Sequence, residues 1–282
     1  MPTKLKVVRS FTIPLAEVSG VCLRRRPGGV ELVAVGDDAH ALVTAPVGGA
    51  DILGPAERRD VRALFPGARR GSQWEAVAAD ASGHLFLLEE AGQLHVLSPE
   101  LDARRCTIAI DLRAHADLAR EWDASENSRG EGLVLLRGGR VLLVKEKRPP
   151  RLIELGPAGA AAAGVAADRL EPDAFPLSDG PPPALTPLQT WSFDGVDLGD
   201  VSDVAVGPGG ALYLVSDEDR CLLQIDPGLP AAGGRARILG RWDLPKKVKK
   251  PEGLVILDDG SPLVAADHDE DEPSLFLLER PG

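Results

Sequence analysis

The chain has 282 residues, 44% of them hydrophobic, with 43 Asp and Glu against 32 Lys and Arg and a net charge of −11. That composition can bury a full core, while the acid excess argues against nucleic acid or an anionic membrane surface, both of which are bound through clustered Lys and Arg. Three widely spaced cysteines, Cys22, Cys106 and Cys221, suggest neither a disulfide framework nor a Cys-based zinc site and read as small buried apolar residues.

In chain order, the opening MPTKLKVVRSFTIP alternates apolar and polar residues, so it reads as a strand over Lys4 to Ile13 and not as a signal core. No later run approaches the roughly 18 apolar residues that span a bilayer, and a cytoplasmic location is expected. Five copies of one paragraph follow: SGVCLRRRPGGVELVAVGDD from Ser19, EAVAADASGHLFLLEE from Glu75, EGLVLLRGGRVLLVKEK from Glu131, SDVAVGPGGALYLVSDED from Ser202 and EGLVILDDGSPLVAADHD from Glu252. In each, a Ser or Glu opens an apolar run, a Gly-bearing turn follows, and a second apolar run ends in a carboxylate. Short Val- and Leu-rich runs joined by glycine turns predict β-hairpins buried on both faces, and a fivefold repeat of them predicts an all-β, five-bladed propeller spanning residues 1–282. Blade starts fall near residues 18, 74, 130, 201 and 251.

Third strands are predicted at Ala41 to Ala45, Gln93 to Leu97, Arg151 to Leu155, Cys221 to Ile225 and Ser274 to Leu278. Fourth strands are predicted from Asp60 (DVRALF), Cys106, Thr190 and Ala236. The last copy lacks a fourth strand, and the N-terminal strand is expected to supply it, removing an open sheet edge. Blade three carries an insertion between its third and fourth strands, 156–187, whose Ala-rich half reads as one short helix and whose Pro-rich half reads as extended loop, the whole being either a lid or a disordered excursion. The basic run Lys246 to Lys250 reads as a solvated loop.

The first strand of a blade is its innermost. Because first and second strands are antiparallel, the start of one lies beside the end of the other. Ser19, Glu75, Glu131, Ser202 and Glu252 are therefore expected to share the mouth of the central channel with Asp37, Glu89, Glu146, Asp217 and Asp267, and with Asp203 close by. Two like charges about 4 Å apart repel by about 4 kcal/mol at an effective dielectric of 20, so the ring needs a bound cation, neighbouring Lys and Arg, backbone donors, or protons. Carboxylates and Ser hydroxyls without matching His or Cys suit Ca²⁺ best, with Mg²⁺ or Mn²⁺ as alternatives; the competing reading is that the second-position acids cap turns. Asn127, Arg129, Lys145, Lys147, Arg220 and Trp74 are candidates to line a substrate site, and His268 and Glu131 are the candidates for proton transfer and catalysis. Trp122 sits in a polar stretch that reads as a substrate-side wall.

At EGLVLLRGGRVLLVKEK, PEGLVILDDG and VSDVAVGPGGALYLVSDED the chain resembles the SdiA-regulated family and the related phytase-like esterase propellers. The resemblance implies a propeller with a calcium ion near the axis, and the family's E-G glutamates correspond to Glu131, Glu252 and, with Ala76 in place of Gly, Glu75. Two functions are expected from it and from the acidic mouth: a metal-dependent hydrolase or lyase of a small molecule, or a non-catalytic propeller that binds a ligand or partner protein with the metal purely structural. No G-x-S-x-G motif supports a covalent serine mechanism.

Overall fold

A computed structural model describes residues 3–49, 52–68, 71–124, 129–170, 173–178, 180–195 and 197–282. The repeats form five sheets, named here as blades with strands A to D running outward from the axis. Blade one is Val18–Arg26, Gly29–Gly36, Ala41–Val47 and Glu57–Asp60. Blade two is Trp74–Ala79, Leu85–Glu89, Gln93–Leu97 and Arg104–Ala109, and blade three is Gly130–Leu136, Arg140–Lys145, Arg151–Pro157 and Leu185–Phe193. Blade four is Asp203–Val206, Leu212–Ser216, Cys221–Ile225 and Ile238–Asp243. Blade five is Pro251–Ile256, Pro262–Ala266 and Leu275–Leu278, with Val7–Phe11 as its strand D.

The A strands of successive blades pack against one another around the whole ring, Pro251–Ile256 meeting Val18–Arg26 to close it. The expected closure by the N-terminus is present: Val7–Phe11 lies antiparallel to Leu275–Leu278, with Phe11 opposite Leu275. Two further stitches carry no sequence signal. Thr3–Lys4 runs parallel to strand D of blade four, and Gly234–Ala236 runs parallel to strand D of blade three. The core is divided among the five spaces between adjacent blades; Trp74 is enclosed between blades one and two, and Trp191 between three and four.

Three expectations are corrected. The fourth strand of blade one is Glu57–Asp60, and the apolar residues after it form a short 3₁₀ turn at Arg62–Leu64 that sends Val61 and Phe65 inward. Trp122 lies on a helix, Ala116–Asp123, and is buried over the core between blades two and three, so it forms no wall of the mouth. Among its described residues the insertion forms a 3₁₀ turn at Ala167–Arg169 and a single antiparallel bridge from Val165 to Leu229, without the α-helix expected of its Ala-rich half. It is tied to blade three by Glu154, which is buried, pairs with Arg140 at 2.5 Å and accepts the backbone N–H groups of Ala163 and Gly164.

The insertion also runs on the face opposite the acids. In a four-stranded meander the A–B and C–D turns share one face, and a C–D insertion must leave from there. Its Ala167 lies against Gly210 of blade four's A–B turn, the carbonyl of Arg169 accepts the N–H of Arg137 in blade three, and Phe175 packs on Phe86 of blade two at 4.8 Å. It is therefore a strap under the disc and not a lid over the mouth.

Candidate functional site

The mouth residues owe their orientation to a repeated irregularity. In four blades the A–B ladder slips by one residue at the opening position: pairing jumps from Val18 to Gly20, Trp74 to Ala76, Gly130 to Gly132 and Pro251 to Gly253. Ser19, Glu75, Glu131 and Glu252 are thus the extra residues of β-bulges, which take a side chain out of the regular alternation and re-aim it. The small residue that follows has its own cause. A Cβ on Gly20 would come within 2.8 Å of the Ala76 Cα, and one on Gly132 within 2.9 Å of the Val204 nitrogen. Adjacent inner strands approach too closely there for a side chain.

Blade four departs from this pattern, and Asp203 shows how. Its carboxylate accepts the N–H of Val204 and, across the gap to blade five, the N–H of Leu254, both at 2.7 Å. Where three other blades have glycine, this buried acid joins two inner strands. Burial holds its pKa well above the ordinary value, although the two backbone donors oppose that shift.

Glu75, Glu131 and Glu252 are half-buried, and among the described residues no hydrogen bond or ion pair engages their carboxyl groups. Burial, followed by repulsion from Asp37, Glu90, Glu252 and Glu146, pushes the Glu75 pKa up to about 8. Glu131 is raised well above 4.5 by burial and then by Glu75, Glu146 and Glu252, with Lys147 partly offsetting. Glu252 is pushed up to about 8 by burial and then by Asp217, Glu146 and Asp267. Each glutamate therefore feels acids from distant blades, as a shared mouth requires.

Asp267, Glu146 and Glu89 have side-chain partners. Lys250 Nζ lies 2.6 Å from Asp267, and Lys147 lies 2.7 Å from Glu146 and 3.6 Å from Glu218. His95 Nε2 meets Glu89 at 2.8 Å, and the other ring nitrogen meets the Thr107 hydroxyl at 3.0 Å. Asp37 and Glu17 crowd each other, the Asp37 Oδ1 being enclosed without a partner, and the pKa values of both are raised, Asp37 chiefly by burial and Glu17 chiefly by Asp37. The Ser19 hydroxyl is buried and donates to the Trp74 carbonyl, bridging blades one and two. Ser202 is buried in the corresponding place. Asp217 is half-buried, raised by burial and then by Asp200, with Arg220 opposing.

Most candidate lining residues hold the framework. Lys145 is fully buried and donates to the carbonyls of Lys147 and Pro149; Arg220 donates to those of Pro245 and Val248; Trp74 is fully buried against His40 and Phe65. Arg129 has its Nε enclosed without a partner and its carbonyl accepts the Glu146 N–H, and Lys147 remains beside the mouth acids. Asn127 lies outside the described residues. His268 Nδ1–H donates to the Pro273 carbonyl at 2.7 Å, and its Nε2 is enclosed and unpartnered beside Phe276. Sequence reasoning missed Glu17 and Asp200, which stand two residues before Ser19 and Ser202. A regular offset was there to be read: Gln73, Arg129 and Lys250 occupy the same place before Glu75, Glu131 and Glu252.

Among the described residues, no group of three or more His, Cys, Asp or Glu side chains is arranged to hold a metal ion as placed, and no helix is long and apolar enough to cross a membrane.

A family model described as SdiA-regulated matches residues 67–278. No curated protein matches the chain. Among solved structures, a glutaminyl cyclase from Myxococcus xanthus is 14% identical with a TM-score of 0.51, covering 99% of this chain and 98% of that one. A gluconolactonase-like protein is 11% identical with a TM-score of 0.50, covering 93% of this chain and 75% of that one. The PQQ-bound aldose sugar dehydrogenase of Streptomyces coelicolor is 12% identical with a TM-score of 0.48, covering 99% of each. At these identities the likeness is one of fold.

Proposed function

Since the chain belongs to the SdiA-regulated family, whose match takes in blades two to five, we propose that its acidic mouth binds a divalent cation, Ca²⁺ in preference to Mg²⁺ or Mn²⁺, and acts on a small oxygen-rich molecule as a hydrolase or lyase. One observation carries this reading: at the mouth, Glu75, Glu131 and Glu252 are turned inward by bulges and, among the described residues, have no hydrogen bond or ion pair on their carboxyl groups, whereas Asp267 and Glu146 pair with Lys250 and Lys147 and Glu89 bonds His95. The donor set fits a hard cation, being all carboxylate oxygen. Unpartnered glutamates also keep the rotamer freedom to converge on an ion, which their present placement requires.

A bound cation supplies polarisation of a substrate oxygen or a water of lowered pKa. The chain's own residues set the rest. Glu75, Glu131 and Glu252 would hold the ion, Asp217 offers a carboxyl whose pKa burial and Asp200 raise, and Lys147 and Arg129 limit the negative charge on the blade-three side. Members of the same fold include proteins named as a cyclase and a gluconolactonase, which makes an enzyme reading natural, but the chemistry of the mouth is its support.

Thermal unfolding at pH 8 in EDTA and then in excess Ca²⁺ tests the site. Saturation at 100 times Kd raises stability by about 2.7 kcal/mol, and Glu131→Gln should abolish most of that gain. An unchanged melting temperature refutes cation binding. Aryl esters, lactones and phosphodiesters then test for turnover; a Ca²⁺ response without turnover on any of them makes the cation a structural staple.

A further inference from the structure

Beneath the mouth the axis is not filled. Val33, Phe86, Leu142, Leu214 and Val264 of the B strands are 0% exposed, whereas the residues three places after each mouth position keep access to the axis: Cys22 at 9%, Ala78 at 6%, Val134 at 8%, Ala205 at 6% and Val255 at 5%. These five equivalent positions belong to the wall of a cavity of ≈ 160 Å³. Asp203 stands between cavity and mouth, one step below the mouth acids, bonded across to blade five and against Gly132 of blade three. At the other end the wall reaches Ala79, Val206 and Ile256, the final residues of their strands, so the cavity opens on the face under which the inserted segment runs. Among the described residues, Leu170 of that segment is the one wall residue from outside the inner strands.

We propose that this cavity is a second binding site, separate from the acidic mouth, for a small uncharged apolar molecule of about benzene's size. Volume and chemistry both point there. An aliphatic cavity of about 150 Å³ accepts benzene, and among the described residues the wall here carries Ala, Val, Leu and Ile side chains with no charged group. The one heteroatom-bearing side chain among the described wall residues, Cys22, stays a neutral thiol, burial pushing it up to about 12. A charged ligand would lose its hydration without gaining a partner. The A strands pair on one side only, so their free backbone edges also face the axis, and a column of water is the competing occupant.

Thermal unfolding of the intact chain, in EDTA and with and without benzene at saturation, separates the two. The wild type should gain ~1–3 °C, and the methyl resonances of Val134 and Val255 should shift on titration. Ala78→Leu and Ala205→Leu fill the void and should abolish both effects; Ala78→Val, which adds less bulk, should weaken them and serves if the larger substitutions do not fold. No melting shift and no methyl shifts in the wild type would leave a water column only and overturn the proposal. An equal response in the folded, filled variants would place benzene elsewhere and overturn it as well.

Discussion

Replacing Glu252 by glutamine should make the protein more stable in alkali and leave it nearly unchanged in acid. In the unfolded chain this carboxyl loses its proton near 4.5, and in the folded chain it keeps it to about 8. Between those values folding takes up a proton, so the wild type loses stability as pH rises through that window. Glutamine cannot ionise and is spared the loss. At about 1.4 kcal/mol per pH unit the ceiling is about 5 kcal/mol. A half-buried carboxyl is screened by the water in the mouth, and ~1–2 kcal/mol is the expected gain at pH 9, or about 2–6 °C in melting temperature. Melting curves of both proteins at pH 5, 7 and 9 in EDTA measure the gap. It should be close to zero at pH 5 and grow with pH; excess Ca²⁺ at pH 8 should reverse the order, because only the wild type keeps all three glutamates. A gap that stays flat from pH 5 to pH 9 would refute the crowding of acids at the mouth.

Asp203→Asn turns an amide toward a backbone donor at the axis and should cost about 1–3 kcal/mol in urea unfolding, with an unchanged denaturant slope. Glu154→Ala leaves Arg140 and two backbone N–H groups without their acceptor, which should cost roughly 3–5 kcal/mol and speed proteolytic cleavage within residues 157–187, while the Ca²⁺ response on the opposite face is retained. Removing residues 1–11 strips strand D from blade five and exposes the edge at Leu275–Leu278; size-exclusion chromatography should show association in place of a single monomeric peak.

The architecture was legible because each copy carries its own turn. Gly29, Gly83, Gly138, Gly209 and Gly260 all adopt the positive φ that the A–B hairpins require, and strands A to C are buried on both faces, so their apolar runs are nearly unbroken. Outer strands gave less, since one edge faces solvent. Glu57–Asp60 is exposed throughout and has no hydrophobic signature, which is why the apolar run after it was the more strand-like segment. The place of the insertion was decidable from the parity of a four-stranded blade alone, without any side chain.

For the mouth, position was legible and partnership was not. The repeat placed Glu75, Glu131 and Glu252 at one register, and the bulges explain why side chains at that register turn to the axis. Nothing in a local pattern shows that Glu89 meets His95 or Asp267 meets Lys250, because those partners are brought together across strands and loops. The same limit applies to Lys145 and Arg220, whose charges suggested a substrate site and whose donors bond backbone carbonyls of nearby loops. The void beneath the mouth arises from the small and medium side chains at five equivalent positions, which become neighbours only when the ring closes.

An anomalous-difference map from crystals grown with Mn²⁺ or Ca²⁺ tests the central claim most directly. A peak at the axial mouth within coordinating reach of Glu75, Glu131 and Glu252 is the predicted result. A mouth without a peak at full cation occupancy elsewhere in the crystal, its three glutamates bonded to one another through shared protons, would contradict it.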